Sequence, residues 1–190
     1  MIIQISHTYY KGIIASKTQE TARSITANIS QAIQFGGGVG ISYDNTGYIC
    51  TGSARFRFKL GQQVVDSGSP AADQGFHALV LDQGTCPPPF GGGISAVPQA
   101  LAADVQELVP TKMRLAKLNI TPVAGTNLYT ITVRVVYGDL DLVCSPSVVG
   151  DCTSTATTTS GINDDLTCKQ LAGSQFCAAS ELTTTVEKRV

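Results

Sequence analysis

From Ile2 to about Phe35 the apolar residues recur every three or four positions, and the run then meets Gly36, Gly37 and Gly38. Ile2, Ile5, Tyr9 and Ile13 share that spacing, as do Ala22, Ile25, Ile29 and Ile33, with Ala32 beside them. A 3.6-residue period of this kind predicts one long helix with an apolar stripe. Lys17, Gln19, Glu20, Arg23, Ser24, Asn28, Gln31 and Gln34 occupy the opposite face. The front differs from the rear. Ile3, Tyr10 and Ile14 lie off the main stripe, so Ile2 to Ile14 is apolar nearly all round. Gly12 weakens the helix by about 1 kcal/mol relative to alanine. The three glycines are expected to end it, since glycine accepts the left-handed turn common at helix C-termini. At about 1.5 Å per residue the helix reaches on the order of 50 Å. That exceeds a compact domain of 190 residues, so one end is expected to project.

After Gly38 the period changes to two. In "ARFRFKLG" Phe56, Phe58 and Leu60 fall on one face, with Arg55, Arg57 and Lys59 on the other. "GYIC" also alternates, and "FHALVLD" is a continuous apolar run suited to a central strand. "CPPPFGGGIS" must be loop, because three prolines cannot sit in a ladder. "PQALAADVQELVP", from Pro98 to Pro110, predicts a short helix. "MRLAKLNITPV" reads as a strand, "AGTN" as a turn, and "LYTITVRVVYG" as a second strand. In the latter Tyr129, Ile131, Val133, Val135 and Tyr137 face one way, against Thr130, Thr132, Arg134 and Val136. From Gly138 the chain turns loop-rich and Thr/Ser-rich, until "ELTTTVEKRV" closes it as a strand. No repeat or long linker divides it, and 190 residues suffice for one domain with its own core.

Thirteen basic residues against 14 acidic ones leave no cationic footprint for nucleic acid. Only 14% of residues are charged, and Gly, Thr, Ser and Ala abound, the look of an extracellular β-protein. The six cysteines are Cys50, Cys86, Cys144, Cys152, Cys168 and Cys177. The last four form C-x7-C and C-x8-C pairs, wider than the knuckles of zinc sites. Loops closed by disulfides between neighbours fit better, although six cysteines allow 15 connectivities. "MIIQIS" is far short of the roughly 20 apolar residues of a membrane span. It also lacks the charged start and cleavage site of a signal peptide. Either the protein is cytosolic, or its export signal has been cut away and Met1 is an added start.

Signals for catalysis are sparse. His7 sits in the projecting helix and His77 in an apolar run. No G-x-S-x-G elbow occurs, and "GGGVG" and "GGGIS" lack the G-K-[ST] ending that grips phosphate. Asp139 with Asp141, and Asp164 with Asp165, are carboxylate pairs of the kind glycosidases use, but only when they face each other across a substrate. "SGINDDLTC" has oxygen donors that suit calcium, without the EF-hand pattern. No other cofactor is expected.

The layout resembles the type IV pilin-like proteins. "MIIQISHTYYKGIIASKTQETARSITANISQAIQFGG" looks like the junction and rear half of a pilin helix. It is similar above all to minor pilins and the J-type minor pseudopilins of type II secretion, whose helices run on as "R…I…I..AI" into a glycine. "TPVAGTNLYTITVRVVYG", the late "TTTVEKRV" strand and the cysteine-closed "CKQLAGSQFC" resemble that group as well. The family's leader, its cleavage-site glycine and the glutamate that follows have no counterpart here, and none is carried over. The resemblance implies an α+β fold in which residues 1–38 form the rear of the pilin helix on an antiparallel sheet. Residues 39–190 would form a β-rich head with a disulfide-closed C-terminal loop region.

It also implies a structural subunit of a surface filament or secretion system, with no catalysis. Its partners would be other pilin or pseudopilin subunits, and the inner membrane through a missing N-terminal helix. No small-molecule substrate is implied. Ile2, Ile3, Ile5, Tyr9, Tyr10, Ile13 and Ile14 would supply the filament contacts. Two other readings stand beside it. One is a secreted adhesin-like module binding through the Thr/Ser-rich loop. The other is a glycan hydrolase using Asp139 and Asp141.

Overall fold

The computed structural model describes residues 2–36, 39–42, 46–52, 54–61, 78–83, 106–139, 142–144, 166–169 and 176–189. Helix α1 spans Ile2–Phe35, 34 residues, as its periodicity predicts. Its buried stripe runs through Ile14, Thr18, Ala22, Ile25, Ile29 and Ile33, the last four fully buried. At the front, therefore, the inward line passes through Ile14 and Thr18 rather than through Ile13. Threonine can take an inward position because its hydroxyl bonds back onto the helix. Thr18 Oγ1 donates to the carbonyls of Ile14 (3.1 Å) and Ala15 (2.9 Å). Thr26 Oγ1 donates to that of Ala22 (2.7 Å).

Where one sheet was expected, the described residues form three. The first is a meander in the order β1 (Val39–Ser42), β2 (Thr46–Thr51), β3 (Ala54–Lys59), β4 (Leu79–Gln83) and β5 (Gln106–Glu107). The second pairs β6 (Met113–Pro122) with β7 (Leu128–Tyr137), and β7 with β10 (Ala178–Glu187). The third is a short ribbon of β8 (Val143–Cys144) and β9 (Thr167–Cys168), inside the stretch expected to be loop. All pairings are antiparallel.

Residues 106–107 correct the short helix expected over Pro98–Pro110, whose remaining residues up to 105 lie outside the described residues. Here the backbone joins the edge of β4, and Leu108 N–H bonds the Leu79 carbonyl at 2.8 Å. The half-buried Glu107 carboxylate accepts the N–H groups of Ala78 (3.2 Å), Leu79 (3.1 Å) and Val109 (3.0 Å). A helix would forfeit this cross-chain network. β4 itself covers the end of the apolar run "FHALVLD"; Phe76 and His77 lie outside the described residues.

One core joins the helix to both larger sheets. Ile25, Ile29 and Ile33 pack with Ile49, Phe56 and Phe58 of the meander, and with Leu115, Ile120, Ile131, Val133 and Val135 of the second sheet. Phe56, Phe58 and Leu60 point inward, and β7 buries Ile131, Val133 and Val135, as their alternation predicts. A smaller cluster lies on the other face of β6 and β7. There Ala116 and Val136 are covered by Val143, Leu166 and Cys177.

The helix stops against β2. Gly36 is followed by two glycines, but its own role is close approach and not a left-handed turn: a side chain there would meet the Thr51 backbone carbon at 2.8 Å. Thr51 Oγ1 donates to the Ala32 carbonyl at 2.5 Å, and Arg189 N–H reaches the Gln34 carbonyl at 3.3 Å. The Ala32 carbonyl already takes the helical bond from Gly36 N–H (2.8 Å), so the Thr51 hydroxyl adds a second bond to it, while Arg189, just past β10, satisfies a carbonyl that the helix end leaves open.

Candidate functional site

The front of α1 stands apart from the rear. Tyr9 is 67% exposed and Tyr10 53%, with their rings edge-to-face at a centroid distance of 6.2 Å. Lys11 and Gly12 are exposed as well, and a side chain at Gly12 would touch nothing within 4 Å. Ile13 is half-buried. Ile14, expected among the outward contacts, is instead only 8% exposed and is covered within the chain. The side chains of Ile2, Ile3, Ile5 and His7 lie outside the described residues.

Ile14 lies in the wall of a cleft of about 150 Å³, where the helix front meets the head. Lys112, Tyr137, Gly138, Asp139 and Phe176 complete the lining. They arrive from three segments. Lys112 sits in the turn before β6, closed by Met113 N–H onto the Pro110 carbonyl at 3.0 Å. Its φ of 65° is the left-handed conformation that side chains avoid, at a cost of roughly 1–2 kcal/mol. Tyr137 ends β7. Gly138 follows with φ 145°, and any side chain there would press the Cys177 sulfur at 3.1 Å. Phe176, 44% exposed, precedes that cysteine.

The cleft is thus held together by the Cys168–Cys177 disulfide, whose Cα atoms are 5.7 Å apart. This pair is the one expected between neighbours. Cys50 and Cys144 are also disulfide-bonded. Cys86 and Cys152 lie outside the described residues, and with them the expected Cys144–Cys152 link.

Lys112 and Asp139 bring opposite, exposed charges to a lining that also holds Ile14, Phe176 and the Tyr137 ring. That combination suits an amphipathic or aromatic side chain, with apolar contact from Ile14 and Phe176 and a cation able to meet a ring face. Two residues after Lys112, Arg114 is fully buried, and its Nη1 donates to the Gly61 carbonyl at 3.1 Å. Burial pushes its guanidinium below the usual arginine range, and the nearby Asp139 acts against that shift.

Of the carboxylates singled out in the sequence, Asp139 is exposed in this lining. Asp141, Asp164 and Asp165 lie outside the described residues, and so do His77 and the calcium candidate "SGINDDLTC". Among the described residues no group of three His, Cys, Asp or Glu side chains is placed to hold a metal ion. No helix among them is long and apolar enough to cross a membrane. The cleft was not anticipated from sequence. A lysine in a left-handed turn and a phenylalanine before a cysteine carry no periodic signal, and only "PTKM" hints at the turn. Comparison with protein-family models, curated proteins and solved structures finds no match.

Proposed function

We propose that this chain is the head and rear stalk of a structural filament subunit. It would be a minor pilin or pseudopilin of a type IV pilus or type II secretion-like filament, assembling through its N-terminal helix. One observation carries the reading: a single continuous helix has its rear isoleucines fully buried in the head, while Tyr9 and Tyr10 at its front stand in solvent. Exposed aromatic surface on a helix is a common mark of a binding site. The partners are other subunits of the filament, packed against the front of α1, and the inner membrane, reached through an apolar segment ahead of Ile2. The subunit works at the cell surface or on the outer side of the inner membrane. Its role is to be held in place and to display the head, a task that calls for neither substrate nor cofactor.

The gene's reading frame ahead of Ile2 provides a first check. It should encode roughly 20 apolar residues behind a short charged leader. The second check uses the full-length protein in its host. Tyr9→Asp together with Tyr10→Asp should remove the subunit from sheared surface filaments, while the purified head keeps its melting temperature. Normal incorporation of that double variant overturns the proposal.

A further inference from the structure

The helix front and the cleft beside it are chemical complements at the same end of the molecule. The cleft, about 150 Å³, has room for one aromatic ring; an engineered apolar cavity of that size takes up benzene. Ile14, Phe176 and Tyr137 give such a ring apolar contact, Lys112 supplies a cation, and Asp139 adds an exposed carboxylate. Just ahead, the helix exposes the rings of Tyr9 and Tyr10, followed by the exposed cation of Lys11.

At about 3.6 residues per turn, Tyr10 lies about 40° to one side of Ile14, Lys11 about 60° to the other, and Tyr9 about 140° away. Tyr10 and Lys11 therefore flank the line of the helix that forms the cleft wall. Tyr9 stands off that line and braces the Tyr10 ring edge-to-face at 6.2 Å. Tyr10 does not fill the cleft of its own chain. Helical side chains lean toward the N-terminus, so its ring tilts away from Ile14. It takes no part in the cleft lining and stays 53% exposed.

We propose that a second copy of this chain covers the cleft, in a reciprocal two-fold pair. Tyr10 of each copy enters the other's cleft against Ile14 and Phe176, and Lys11 of each meets the other's Asp139. Ring and cleft lie one helical turn apart on the same flank. The copy that fills one cleft thus brings its own cleft to the first copy's Tyr10, and the contact closes on itself instead of growing into a chain. The two-fold axis passes between the levels of Tyr10 and Ile14, with the two helix fronts antiparallel. Two tyrosine rings bury about 150–250 Å² each, which falls short of the roughly 1,000 Å² of a stable interface, so the pair is weak. It does not rest on the filament reading. It occupies the same helix front, so pairing and filament contact exclude each other.

The test is sedimentation equilibrium of the purified protein. Up to about 1 mM it should show a monomer–dimer equilibrium with Kd on the order of 10⁻⁴ M, weaker at high salt. Tyr10→Ala and Phe176→Ala should each weaken the dimer roughly tenfold or more. Tyr10→Phe keeps the ring and should change it less than about twofold. Lys11→Gln and Asp139→Asn should each cost roughly threefold. Their double variant should lose no more than either alone, since both remove one contact. Should Phe176→Ala fail to fold, that coupling carries the test of the cleft. Four outcomes overturn the proposal: a monomer throughout, a dimer indifferent to Tyr10→Ala, additive losses from Lys11→Gln and Asp139→Asn, or species that keep growing with concentration. A monomeric protein whose tyrosine double variant is lost from surface filaments would sink the pair alone. A dimer whose tyrosine double variant still enters filaments would sink the filament reading alone.

Discussion

The two halves of α1 are one helix with two environments. Behind Ile14 its inward line is sealed: Ala22, Ile25, Ile29 and Ile33 are inaccessible, and even Thr18 and Thr26 are buried with their hydroxyls satisfied within the helix. Ahead of Ile14 two tyrosines stand side by side in solvent. The helix carries no acidic residue in its first turn and no basic one in its last, so charge does not distinguish its ends. Contact does. The rear is defined by the two sheets that enclose it. At the front, among the described residues, Thr8 to Gly12 are exposed, and Ile14 is the boundary between the two. A helix can therefore be structural along part of its length and available for recognition along the rest, without any break in its hydrogen bonding.

Five variants probe that division. The largest effect belongs to the sealed half. Ile29→Ala leaves a cavity at the meeting of helix and sheets and should cost about 3–5 kcal/mol in urea unfolding; a loss below about 1 kcal/mol would mean the rear is not integral to the head. Ile14→Ala, at the edge of the covered region, should cost less, about 2–3 kcal/mol, and more than Ile13→Ala measured alongside it. If the two are equal, the boundary lies elsewhere. Thr51→Val removes the hydroxyl that meets the Ala32 carbonyl and should lower stability by about 1 kcal/mol. Hydrogen exchange should show the loss concentrated in the last turn of the helix. Smallest of all, Tyr9→Ser with Tyr10→Ser should shift the stability of the isolated head by less than about 0.5 kcal/mol, as surface changes do. A large destabilisation would show that the front is held by the head after all.

Much of this architecture was legible wherever a period persisted. The helix, the β6–β7 hairpin and the inward faces of β3 and β7 follow directly from patterns of 3.6 and 2. Legibility failed where a residue's place depends on a partner remote in sequence. Gln106 and Glu107 are strand because β4 offers an edge and Glu107 can gather three N–H groups; their local sequence favours helix. The helix's front stripe was misplaced by one residue, because threonine counts as polar until its hydroxyl is seen to bond i−4. Gly36 was assigned to conformation when its reason is proximity to Thr51. The cleft was the least legible part, since Ile14, Lys112, Tyr137 and Phe176 meet only after helix, turn, strand and disulfide loop are assembled. The exposed tyrosines, by contrast, could be anticipated from the surplus of apolar residues over what one sheet could cover.

The clasp at the end of α1 has a mechanical consequence. Tension applied along the helix axis enters the head through side chains laid lengthwise over β10 and β7, and ends at two anchors, Thr51 in β2 and Arg189 just past β10. Such a load shears many contacts at once instead of peeling them one by one. The rod and its cap resist traction as a unit, with the far end of the helix as the last part to let go.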